Sequence, residues 1–100
     1  MPSIAVYYRP PEDNEAFEKG YIADHLPMVD DWPNIKDKHF GRVSKNVAGD
    51  FPYSHVFLGR FDDQAGLEEA LASEAMGRAV KDAQERAPQG FDAVVIDWLA

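Results

Sequence analysis

The sequence contains no cysteine. That excludes a disulfide framework, a thiolate metal site and a cysteine nucleophile, and leaves the fold to be held by packing or by a partner subunit. Basic residues are scarce, with 10 Lys and Arg against 18 Asp and Glu and a formal net charge of -8. An acidic chain without a Lys/Arg cluster is repelled by phosphate backbones and anionic lipid surfaces, so no nucleic-acid partner is expected. Long hydrophobic runs are missing as well, and Met1-Pro2-Ser3 leads straight into a strand-like segment without the basic and apolar stretches of a leader. No segment approaches membrane-spanning length. The expectation is a soluble, cytoplasmic protein with no membrane partner. Also absent are a glycine-rich phosphate loop, a helical His-x-x-x-His pair, a calcium-loop spacing and a nucleophile elbow. The three histidines, His25, His39 and His55, fall on three different expected elements, and nothing recognisably binds flavin, nicotinamide or metal. No cofactor and no metal are expected.

What is present is material for one core. A chain of 100 residues with 45% hydrophobic and 12% aromatic residues is a single domain, residues 1–100, burying roughly 60–65% of the surface that its unfolded form exposes. Ile4-Ala5-Val6-Tyr7-Tyr8 is apolar, β-branched and aromatic and stops at Pro10-Pro11, which reads as a strand. Asp13 or Asn14 caps a helix with Phe17, Tyr21, Asp24 or His25, and Met28 on its inner stripe. Pro27 should kink or end that helix, placing His25 in its last regular turn or at the bend. Ile35 through Val47 is weakly patterned and reads as an edge strand. Tyr53 through Phe61 alternates as a strand with Tyr53, His55, Phe57 and Phe61 on one face. Asp62 or Asp63 caps a second helix, Ser73 breaks and recaps it, Pro88-Gln89-Gly90 stops it, and Phe91 through Leu99 is the last strand. The charged residues of that second helical region, Glu68, Glu69, Glu74, Asp82 and Glu85 mixed with Arg78, Lys81 and Arg86, read as a solvated face.

The order βαββαβ is the α+β, ferredoxin-like arrangement: a four-stranded antiparallel sheet with two helices on one face. Val94, Ile96 and Trp98 point to one side of the last strand and Phe91, Ala93, Val95 and Leu99 to the other. Two apolar sheet faces with helices for only one imply a second sheet, supplied by an identical chain through a homodimer contact.

His25 is the residue with the most chemical potential. It extends the Phe17-Tyr21 stripe, and its ordinary pKa lies near working pH, so it suits a general acid/base or a ligand donor. A histidine that merely terminates the helix, favoured by the macrodipole, fits the same position. Tyr8 shares the face of Ile4 and Val6 and is the tyrosine expected to line a cavity, with Tyr7 turned to the partner sheet. His55 could lie across from Tyr8 or His25, or sit at an edge or interface. Apolar walls are expected from Phe17, Tyr21, Met28 and Phe57, in a pocket between the first helix and the sheet. Trp32 closes the pocket mouth or staples helix to sheet, and His39 is expected to be exposed.

The segment Phe17-x-x-x-Tyr21-x-x-x-His25-Leu26-Pro27-Met28, preceded by Tyr8-Arg9-Pro10 and followed by Trp32-Pro33-Asn34-Ile35, resembles the EthD family. That family shows a strand ending in Tyr with Arg and Pro after it, a helix with an aromatic ladder leading to His-x-Pro-Leu, then a Pro-Gly-Leu turn. Pro52-Tyr53-Ser54-His55 through Phe61-Asp62 resembles its third strand, and Leu71-Ala72-Ser73 through Val80 its second helix. The resemblance covers nearly the whole chain. Met28 stands for the usual Leu, Asn34 for the usual Gly, and Ala87 through Gly90 is not the usual end of the second helix. The resemblance implies a dimeric α+β barrel, a superfamily that also holds small cofactor-free monooxygenases, aromatic polyketide cyclases and lactone isomerases. The EthD family is named for a role in ethyl tert-butyl ether degradation beside an oxygenase system.

The function expected is therefore a small-molecule enzyme or binding protein of catabolic or secondary metabolism. His25 would act as acid/base on a small apolar or aromatic oxygenated ligand, with Tyr8 and His55 orienting it. The rival is a non-catalytic accessory or ligand-carrier subunit of an oxygenase degradation system.

Overall fold

The computed structural model describes residues 1–100. Four strands, β1 (Pro2–Tyr8), β2 (Asp37–Arg42), β3 (His55–Arg60) and β4 (Phe91–Asp97), form one antiparallel sheet in the order β2-β3-β1-β4. The helices are α1 (Asn14–Gly20), a π-helical turn (Tyr21–His25) running into α2 (Leu26–Val29), then α3 (Gln64–Leu71) and α4 (Glu74–Arg86). This is the ferredoxin-like fold expected from the element order. The expected edge strand over Ile35–Val47 is real but shorter, spanning Asp37–Arg42, with Ile35 packing against the core from outside the ladder. β3 and β4 are likewise trimmed at the ends expected from the sequence.

Local chemistry sets the helix starts. Asp13 accepts from the Ala16 N–H at 3.1 Å, Asp63 from Gly66 at 2.7 Å and Ser73 from Met76 at 3.1 Å, each cap contributing about 1 kcal/mol. Asn34 has φ 68 and donates to the Gly66 carbonyl at 3.1 Å. Asn is among the non-glycine residues best tolerated in the left-handed region, which explains how it serves where the resembled pattern has Gly.

The first helix departs from expectation in a way that matters. Pro27 does not end it: the backbone stays helical through Val29, and Leu26 N–H bonds the Tyr21 carbonyl, five residues back. An α-helix advances about 100° per residue, so residues four apart drift forward around the axis. The wider π-turn takes that drift back. Phe17, Tyr21 and His25 consequently stay on one inward stripe, with Tyr21 and His25 ring centroids 4.5 Å apart. The extra residue also shifts everything after it by one, so Val29, not Met28, is the fully buried position that follows.

Strand register assigns the faces. Ile4 pairs Gly59 and Val95, Val6 pairs Phe57 and Ala93, and Tyr8 pairs His55 and Phe91, all toward the helices. Ser3, Ala5 and Tyr7 pair Arg60, Leu58 and Val56 on one side and Ile96, Val94 and Asp92 on the other, all on the opposite face. The helix side holds the core, including Tyr8, Tyr21, Val29, Phe57, Phe61 and Leu67. On the outer face Val94 and Trp98 remain 48% exposed, and Trp98 is pinned by its indole N–H donating to the Ser3 hydroxyl at 2.9 Å. No helix is long and apolar enough to cross a membrane.

Candidate functional site

A cavity of about 290 Å³ lies between the sheet and the helices. Its floor is Ile4, Val6 and Phe57, its roof Met76, Ala79 and Ala83 of α4, and its rim the half-exposed Leu71 and Val80. The pocket expected between the first helix and the sheet is thus roofed by α4, whose small residues leave the space. Of the fourteen residues lining it, His25 is the one that is not hydrophobic. Tyr8 and Tyr21 stand beside it, their hydroxyls 2.8 Å apart. Trp32 both lines the cavity and staples it, packing edge-on against Phe57 with ring centroids 5.8 Å apart.

His25 is 4% exposed, and its Nδ1 lies 2.6 Å from Asp82 Oδ2. Asp82 is also gripped by Arg86, Nε to Oδ2 at 3.0 Å and a terminal nitrogen to Oδ1 at 3.1 Å. The Arg86 bond, with His25 adding to it, holds the Asp82 carboxyl below its usual value, so it is ionised. A carboxylate can only accept, so Nδ1 carries the proton. Burial pulls the His25 pKa below its ordinary value although Asp82 opposes the shift, which leaves the ring neutral near pH 7 with Nε2 as its free lone pair. Burial pushes the Tyr8 phenol up to about 12 and Tyr21 higher. Both are therefore hydrogen-bond donors, not phenolates, at working pH. A neutral imidazole beside two phenols in an apolar cavity can accept a proton and hydrogen-bond an adjacent oxygen.

Tyr8, Tyr21, His25 and Phe57 are brought to this one cavity. Phe17, Met28 and His55 are not, and the expectation that they line it is corrected. Phe17 is buried behind Tyr8, with ring centroids 5.4 Å apart, and backs the site without facing it. Met28 is turned off the stripe by the π-turn. His55, 0% exposed, stacks on Phe40 at 5.7 Å and 12°. Its Nε2 donates to Glu18 Oε2 at 2.7 Å, and its Nδ1 meets the Ser54 hydroxyl at 2.7 Å. Arg42 clamps the same Glu18 at 2.5 and 2.6 Å, and with His55 draws its pKa down to about 2. His55 is a core element of a closed network. His39 is exposed as expected, its side chain 77% accessible.

The residues that sequence reasoning missed are Asp82 and Arg86, which it assigned to a solvated face. One signal was available: they form an i, i+4 acid–base pair flanking Ala83, on the same side of α4 as Ala79.

No family model matches the chain, and no curated protein matches it. Solved structures do. An ethyl tert-butyl ether degradation (EthD) family protein from Bacillus halodurans C-125 superposes with a TM-score of 0.88 at 22% identity, covering 99% of each chain. A dimeric ferredoxin-like protein of unknown function from Jannaschia sp. CCS1 gives 0.71 at 16% identity, over 97% of this chain and 98% of the other. SnoaB, a cofactor-independent oxygenase from Streptomyces nogalater, gives 0.69 at 12% identity, over 99% and 93%. At these identities the likeness is one of fold: the chain has the ferredoxin-like fold that it shares with these structures.

Proposed function

We propose that the chain is an EthD-like small-molecule enzyme of catabolic or secondary metabolism, acting as a homodimer through its outer sheet face. It would move a proton on an apolar, oxygenated ligand. The observation that carries this reading is the cavity itself: apolar walls, a single imidazole and two un-ionised phenols at one end. An apolar site excludes water and raises the worth of each hydrogen bond made in it. His25 is the acid/base, while Tyr8 or Tyr21 donates to the ligand oxygen on which negative charge collects. The fold shared with a cofactor-independent oxygenase and with a dimeric ferredoxin-like protein supports the class of chemistry and the dimer by analogy.

The test is proton exchange. A panel of apolar bicyclic ketones, 2-tetralone among them, is incubated in D2O with wild type or His25→Gln, and loss of the acidic C–H signal is followed by NMR. Exchange faster with wild type than with the variant supports the reading. Equal rates across the panel refute it, and binding without exchange would transfer the cavity to the accessory or ligand-carrier class.

A further inference from the structure

We infer that Asp82, itself held by Arg86, is a positioning residue that fixes His25 as the Nδ1–H tautomer, so that the cavity meets an unprotonated Nε2 and selects ligands that donate a proton, namely phenols and enolisable carbonyl compounds. This rests on the reading of the cavity as a ligand site, and it decides between acid and base for the resting histidine.

The geometry leaves little freedom. Arg86 is a donor-only group that takes both oxygens of Asp82, so the carboxylate cannot turn away, and the oxygen nearest His25 is shared with Nδ1 at 2.6 Å. Arg86 reaches this position across Gly20, where a Cβ would stand 2.9 Å from the guanidinium nitrogen. Among the side-chain hydrogen bonds of His25, Nδ1 is the ring nitrogen that has a partner, and Nε2 is not among the polar atoms sealed from solvent without one. The groups around the ring are Tyr21 from its own helix, Asp82 and Arg86 from α4 and Tyr8 from β1, with the exposed Asp24 meeting Arg86 at 3.9 Å. Of these only Asp82 touches a ring nitrogen.

The step balances without a co-reactant. The C–H or O–H bond of the ligand breaks, its proton forms the N–H bond at Nε2, and the electron pair stays on the ligand as enolate or phenolate, hydrogen-bonded by a Tyr8 or Tyr21 hydroxyl. The imidazolium so formed is paired with the Asp82 carboxylate. Return of the proton restores neutral His25.

Asp82→Ala tests the assignment directly. It removes the one acceptor that holds the proton on Nδ1, and an imidazole without such a partner favours the Nε2–H tautomer. Long-range 15N–1H NMR of labelled protein at neutral pH reads the tautomer directly. Wild type is expected as Nδ1–H and the variant as Nε2–H, a switch that a merely structural contact would not produce. Binding of 2-naphthol and its methyl ether, equal in shape but differing in the donated proton, is measured in parallel. Wild type should prefer the naphthol by roughly tenfold, the worth of one hydrogen bond, and the variant should lose that preference. An Nε2–H wild type overturns the positioning role even if no variant folds. Equal affinity of wild type for both probes overturns the selectivity. Failure of both probes to bind, with the tautomer switch intact, refutes the cavity as a ligand site and leaves the positioning standing.

Discussion

Filling the cavity is the sharpest perturbation of its geometry. Ala79 is 2% exposed and forms part of the roof, so Ala79→Leu sends three further carbons into about 290 Å³ of space. Each buried methylene is worth about 0.8 kcal/mol, and ordering a leucine side chain costs about 0.5–1 kcal/mol. The balance is a gain of about 1.4–1.9 kcal/mol, only slightly reduced by the lower helix propensity of Leu than of Ala. For a domain of this size that raises the thermal midpoint by roughly 4–8 °C per kcal/mol. The assay is thermal unfolding of both proteins at equal protomer concentration, with the oligomeric state fixed by light scattering, since mass action shifts the midpoint of an associating protein. Affinity for 2-naphthol should fall in the same variant. A well-packed site would instead charge about 1–3 kcal/mol for the added volume. A lowered midpoint would therefore refute the cavity and every conclusion built on it.

The two buried histidines should respond differently to truncation. His25→Ala leaves Asp82 paired with Arg86 and should cost about 1 kcal/mol, whereas His55→Ala strips a stacked, doubly bonded ring and leaves Glu18 and Ser54 each a partner short, at about 2–4 kcal/mol. Urea midpoints of the two variants check this, and equal losses would make His25 a structural residue. Val94→Asp places a charge on the outer face and should convert a dimer to monomer in light scattering without unfolding the sheet; an unchanged mass would relocate the interface. Stability should fall toward acid in two stages. His25 titrates below its ordinary value in the folded state, so the unfolded chain takes up its proton first and stability declines as pH drops below about 6.5. Asp82, Asp37 and Glu18 are also depressed, so their contributions, complete above about 5, are lost as pH falls further. Melting curves from pH 8 to 3 should show both stages in wild type and the lower alone in His25→Gln.

The fold was legible because it rests on local and periodic signals. Alternation on β1, β3 and β4 fixed which residues share a face, and the register confirms the split of Ile4, Val6 and Tyr8 from Ala5 and Tyr7. Asp63 and Ser73 were readable as caps because capping is a short-range bond. The site was legible only in part. A period of 3.6 carried to Met28 fails after Tyr21 because the π-turn adds a residue, which no periodicity count contains. The partner of His25 lies 57 positions away, and nothing local marks it beyond the Asp82–Arg86 spacing, which also describes an ordinary exposed ion pair.

The two histidines show why residue type alone could not assign the site. Each has a ring nitrogen bonded to a carboxylate, and each carboxylate is clamped by an arginine: His25 to Asp82 and Arg86, His55 to Glu18 and Arg42. The difference lies in the second nitrogen. His55 gives it to Ser54, so both of its polar atoms are satisfied and the ring is closed between Phe40 and Phe17. His25 has no second protein partner and lies against a cavity. A fully bonded buried ring lowers the free energy of the fold, because its desolvation is offset twice. A ring bonded once gives up part of that offset and keeps one lone pair for an incoming proton. That asymmetry is what separates the candidate base from the core histidine.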